Sequence, residues 1–326
     1  ETNYFHNSKE GNEKRYYDTG ELHFVDFYEN NNLNGMRKEL YKNGYMKVET
    51  PIVNNSVEGL QKGYYETGQF LFQIQFVKNT KTNFYMEFYK NGKLKIKTPY
   101  VKALFHGISK SFHDTGELKY TITYNQDKIE GEKIEYFKDQ TVYLKTSYYN
   151  GLKKGDQYEY DKSGNLIFKR VFKDNILHVV SPIKNNKING LQKEFHESGK
   201  VKVISNFVND KKEEEEKEFF ETGELLSKVN YTNNLKNSLK KIYYKDGKRE
   251  SEILYKDGKI EGIRTAWFKN GKIRVEIPYK NDKKEGTLKG YFESGVLRKK
   301  IEYKDDKQVG RTTVFSEDGK EFKIRF

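Results

Sequence analysis

The side chains best equipped for chemistry fall into step with one another, and that regularity argues against a catalytic centre. The six histidines are His6, His23, His106, His113, His178 and His196, and no H-x-x-x-H or H-E-x-x-H spacing joins any two of them, so the usual zinc-holding pair is missing. His113 and His196 occupy places that tyrosine or phenylalanine takes elsewhere. Carboxylates recur in the same way: Glu39, Glu87, Glu135, Glu159, Glu194 and Glu218 share one register position, and a charge that repeats with the chain is architecture. With no cysteine, disulfides, thiolate metal sites and cysteine nucleophiles are excluded. Neighbouring glycines lie 9 and 15 residues apart, a turn spacing with no phosphate-cradling loop running into a helix. The expectation is a protein that is not an enzyme, with no catalytic residues, no metal and no cofactor.

What positions these residues is a repeat, the first feature to seek in a chain of this length. One glycine series runs Gly20, Gly44, Gly68, Gly92, Gly116 and Gly164, with Gln140 standing in once, and resumes as Gly199, Gly223, Gly247, Gly271, Gly295 and Gly319; every step within a block is 24 residues. A second series of the same period includes Gly11, Gly35, Gly59, Gly107, Gly131, Gly155, Gly190, Gly262, Gly286 and Gly310. Between the blocks the step is 35, because Val179 to Gly190 aligns with Val48 to Gly59 and one unit is short by 13 residues. The organisation expected is a repeat block over 1–172, a truncated repeat or irregular junction over 173–189 and a second block over 190–326.

Counted from the second-series glycine as position zero, the unit reads G-x-x-K-x-Y-Y-x-x-G-x-L. Position five is always large: Tyr16, Leu40, Tyr64 and Phe88 begin a column that includes Trp267. Positions 11, 13, 15 and 17 alternate apolar with polar, as in Phe70, Phe72, Ile74 and Phe76, the signature of a half-buried strand. Tyr17-Asp18-Thr19-Gly20 suits a turn whose glycine is left-handed, pairing position six with ten and five with eleven. On that pairing all odd positions should share one interior face, and Trp267 should be an ordinary core residue. The fold class expected is all-β: an elongated, twisted and curved single-sheet solenoid of about thirteen antiparallel hairpins, on the order of 130 Å long at about 4.8 Å per strand.

Composition agrees with a thin fold. Hydrophobic residues make up 34% of the chain, under the roughly 45–50% of an ordinary domain, while 15% aromatics and only four prolines are unlike a disordered chain. The net charge of +13 favours acidic partners, but the basic residues are spread along the chain, and sequence-specific nucleic-acid binding is not expected. No apolar run is long enough for a transmembrane segment. Zero cysteine and a start at Glu1 suggest a secreted or cell-surface bacterial protein with a removed signal peptide, with a cytoplasmic setting as the alternative.

The even face carries the candidate binding rows. Position six holds Tyr17, Tyr41, Tyr65, Tyr89, Phe137, Phe220, Tyr244, Phe268 and Phe292, and position twelve holds Lys47, Lys95, Lys119, Lys202, Arg274 and Arg298. An exposed aromatic strip flanked by cations would engage a protein partner with an acidic surface; a ladder of cross-strand stacks would serve the sheet itself.

The unit, with its N-N-x-x-x-G spacer as in Asn30 to Gly35, is carried by nearly the whole chain and resembles the bacterial variant of the MORN repeat, a family that bears the antitoxin designation. The resemblance implies a binding platform for proteins, with toxin neutralisation as one alternative and a lipid or polyanion platform as another.

Overall fold

Two kinds of turn alternate along this chain, and the way each is closed decides which side chains meet. The computed structural model describes residues 1–322, with 36 strands paired antiparallel and no helix among them; residues 323–326, the end of the expected 190–326 block, lie outside the described residues. The chain forms two units, Glu1–Asn165 and Leu166–Phe326. Within each, successive strands are sequential neighbours joined by hairpins.

The wide turns follow the expected register. Tyr17 N–H donates to Glu21 O at 2.8 Å and Gly20 N–H to Tyr17 O at 2.9 Å, with Gly20 at φ 99°, where a side chain would be strained. Tyr16 then faces Leu22, position five against eleven. The narrow turns are two successive left-handed residues, such as Asn30 and Asn31 at φ 48° and 67°, whose twist matches that of the strands they join. The narrow turns at Asn30-Asn31 and Asn281-Asp282 are each tied to the copy before them. Asn31 Oδ1 accepts from Lys9 N–H at 2.7 Å and Glu10 Oε2 from Asn30 N–H at 2.9 Å; Asp282 with Ile260 and Glu261 with Asn281 repeat the pattern at 2.7 and 3.0 Å.

One expectation is overturned. After Tyr16↔Leu22 the next pair is Arg15↔Phe24, so position twelve is an extra residue in its strand. Such a bulge places both of its residues on the same side, and the alternation slips by one. Positions 2, 4 and 6 of the first strand therefore share a face with 12, 13, 15 and 17 of the second, while 1, 3 and 5 share the other with 11, 14 and 16. Odd positions do not all lie together. A Cβ on Gly63, at position four, would collide with the ring of Phe72 at thirteen, whereas the Tyr64 hydroxyl, at five, donates to Glu49 at fourteen over 2.9 Å.

Burial concentrates on the first of these faces, and much of it is polar. Asp26 is 0% exposed, held by Arg15 and Arg37 from either side at 2.6 Å each. Position fifteen bonds to position two of the next copy in Thr50 with Gln61 (2.9 Å), Thr98 with Ser109 (2.7 Å) and Thr146 with Gln157 (2.8 Å). In these copies cross-strand hydrogen bonds take the place of apolar packing. In other copies the same position is apolar, with Ile74 and Ile122 buried in the first unit and Val229 and Ile253 in the second.

The stretch 173–189 holds one long strand between two turns, with a register shift where Val171↔Val179 gives way to Phe172↔Leu177. Ile176–Lys184 is bounded by two narrow turns, Asp174-Asn175 and Asn185-Asn186, because the 13 residues missing from the repeat are positions zero to twelve, a whole strand and its wide turn. Leu166–Lys173 pairs with it as Phe168↔Pro182, Lys169↔Ser181 and Arg170↔Val180. Residues at fifteen and fourteen thus stand opposite one another. Side chains directly opposite share a face, so in the second unit the side bearing columns 13, 15 and 17 changes over at Asp174-Asn175.

Candidate partner-binding surface

The rows at positions six and twelve do lie together, on the same face as the buried columns and not behind them, and no aromatic of the row stands exposed. Tyr17, Tyr41, Tyr65, Tyr89, Phe137, Phe220, Tyr244, Phe268 and Phe292 are all half-buried. Each tyrosine hydroxyl donates to the carbonyl 23 residues ahead, at position five of the next copy: Tyr17 to Leu40, Tyr41 to Tyr64, Tyr65 to Phe88, Tyr89 to Phe112 and Tyr244 to Trp267, all at 2.8–2.9 Å. His196 keeps the contact through a ring nitrogen, 3.1 Å from Phe219 O. Where it carries tyrosine or histidine, the row fastens a copy to its successor and holds the ring in a fixed orientation.

The cations divide into two groups. Lys47 and Lys95 reach back to Glu39 and Glu87 at 2.6 Å while lying 5.8 and 5.9 Å from the rings of Tyr41 and Tyr89. Lys119, Lys202, Arg274 and Arg298 are exposed, with Arg298 set 5.6 Å from the Phe292 ring. A second set comes from position seven of the following copy: Lys42 lies over Tyr17, Lys90 over Tyr65, Lys245 over Phe220 and Lys269 over Tyr244, at 5.6–5.9 Å. Sequence reasoning missed this set, although its 25-residue offset from the aromatic is readable. The rings of Tyr17, Tyr41, Tyr65, Tyr89, Phe220, Tyr244 and Phe292 thus meet cations, an attraction worth about 0.5–1 kcal/mol at exposed sites.

The opposite face carries a feature the sequence reading passed over. Position one is apolar and exposed in Met36, Leu60, Ile108, Leu191, Leu239 and Ile263, reaching 57% at Ile108, beside the recurrent lysine of position three. Its signal was an apolar residue directly after Gly35, Gly59, Gly107, Gly190 and Gly262, and after Ser238 in the same series. Among the described residues no cluster of three or more His, Asp or Glu could hold a metal ion.

The profile of a family described as MORN repeat variant matches residues 9–30, 57–78, 85–102, 105–126, 188–209, 215–233, 236–257, 260–281 and 284–305, more than half of the chain. No curated protein matches the sequence. Among solved structures, a likeness of TM-score 0.18 at 10% identity is found with the "Crystal Structure of TcdB2-TccC3-Cdc42", over 93% of this chain and 20% of that one. The "Crystal Structure of TcdB2-TccC3" gives the same figures. A porin-like protein from Bacteroides uniformis ATCC 8492 gives 0.17 at 11% identity, over 78% of this chain and 92% of that one. The chain spans about a fifth of the length of the first two.

Proposed function

The chain belongs to the MORN repeat variant family, and from that premise we propose that it is a non-catalytic scaffold which binds a protein partner of acidic surface along the rows at positions six and twelve. The observation that carries this reading is the bonding of the aromatic row: each tyrosine hydroxyl is committed to the next copy, so the rings need no ordering when a partner arrives. Lys119, Lys202, Arg274 and Arg298 extend from the same rows into solvent, and the net charge of +13 would draw an acidic surface toward them.

The test replaces Lys202, Arg274 and Arg298 together by glutamate and compares what the two forms retain from bacterial and host extracts at low and moderate salt. The reading expects proteins of acidic surface to be retained by the natural chain, released as salt rises and lost from the triple variant, whose melting profile stays within about 1 kcal/mol of the parent. Equal retention by the two forms would remove these rows from the function.

A further inference from the structure

In a chain built of copies, residues that recur are accounted for by architecture, and residues that break the pattern need another reason. Two such breaks touch. Position eleven is Leu, Met, Phe, Val or Ile in the other copies, apart from Glu321 in the last one, and is arginine only at Arg249; position five carries the chain's single tryptophan at Trp267. Both lie on the face opposite the rows discussed above, and the Arg249 guanidinium sits 5.5 Å from the indole centre. Together with Lys248 and Gly271 they line a cleft of ≈ 300 Å³.

The charges of this cleft are only partly compensated. Arg249 Nη1 is 3.1 Å from Glu252 Oε1, and no other carboxylate among the described residues meets the rest of its planar fork. Lys248 Nζ donates to Lys269 O at 3.2 Å and is 3.9 Å from Asp246 Oδ2. Both basic side chains are about 60% exposed. An apolar row would have been better served by leucine at 249, since an arginine there covers its neighbours less and brings a charge that must stay hydrated. The cation is suited to a ligand.

We infer that this cleft binds an acid group carried on a flat apolar ring, an aryl phosphate or aryl carboxylate, with the anion on Arg249 and Lys248 and the ring against the Trp267 side chain. A planar guanidinium matches the oxygens of phosphate or carboxylate two at a time, and the indole beside it supplies stacking area. The site lies on the other face from positions six and twelve, so it does not depend on the function proposed for those rows. The same chemistry can come from a free small acid or from a phosphorylated tyrosine of another protein.

Because Trp267 is the only tryptophan, its fluorescence reports on this cleft alone. The full chain is titrated with phenyl phosphate, inorganic phosphate, phenol and an alanine tripeptide carrying a central phosphotyrosine. Phenyl phosphate should cause a saturable change at about tenfold lower concentration than phosphate or phenol, since an anion's bond to arginine and ring stacking each add roughly a factor of ten. Arg249→Leu, which restores the residue type of the column, should lose that difference while melting no lower than the parent; Arg249→Lys should lose most of it. A tripeptide that binds more tightly than phenyl phosphate identifies the ligand as a side chain of another protein, and equal binding identifies a free acid. No saturable change with phenyl phosphate, equal binding of phenol, or an unchanged titration in a well-folded Arg249→Leu would overturn the assignment.

Discussion

Tyr64 and Tyr291 illustrate how a polar side chain can hold a sheet that lacks a second layer. Burial, and then the carboxylates of Glu49 and Glu276 to which they donate, push their hydroxyls up from 10.0 to about 12. A raised value means that the folded chain keeps its proton, so the stability these groups contribute is complete below pH 10 and disappears as the pH climbs through 12. Tyr64→Phe with Tyr291→Phe should flatten the fall in chemical stability across that window, and coincident alkaline limbs would show the bonds to be idle. Glu216 works in the other direction. Burial opposes its charge, yet hydrogen bonds from Lys212, Ser205 and Tyr231 prevail and hold it below the usual 4.5. Its contribution is present above pH 4.5 and lost as pH falls through the lowered value, so Glu216→Gln should unfold with a shallower acid limb. At the aromatic row, Tyr65→Phe removes only the hydroxyl that reaches Phe88 and should cost about 0.5–1.5 kcal/mol in urea unfolding.

At the scale of the element, the bulge at position twelve decides more than any single side chain. It leaves Trp267 half-buried on the face away from the buried columns. Trp267→Ala is therefore expected to cost about 1–3 kcal/mol by denaturant melt, below the 3–5 kcal/mol or so of a ring lost from a closed core; the larger value would return it to the interior. The period, the glycine turns and the pairing of five with eleven were all legible in the sequence, because Gly20 and its successors mark them and a left-handed residue has few substitutes. The bulge was not legible, since an extra residue between Leu22 and Phe24 has no composition of its own and is defined only by what stands across from it. The polar column at Asp26, Thr50 and Thr98 was in plain view, but alternation taken as hydrophobic hides a strand whose interior is satisfied by hydrogen bonds. Position six was readable as a row, while its bonds to the following carbonyls needed coordinates.

Across the molecule, each copy bonds to the one before and the one after, and stability in such an array is a sum of local and neighbour contributions. Asp26→Asn leaves Arg15 and Arg37 without their shared carboxylate and should cost about 1–3 kcal/mol. Amide hydrogen exchange should then quicken in the strands Ser8–Tyr16, Leu22–Glu29 and Gly35–Leu40 while leaving Gly286–Tyr291 as slow as before. A uniform rise along the chain would mean one cooperative block. The shortened copy adds a rule of parity. Losing a whole number of 24-residue units would leave every column on its own side, but a loss of 13 residues removes one strand and turns the pattern over. A periodic ligand that climbs the second unit rung by rung must therefore stop at Ile176–Lys184, so this strand caps the valency of any multivalent grip there.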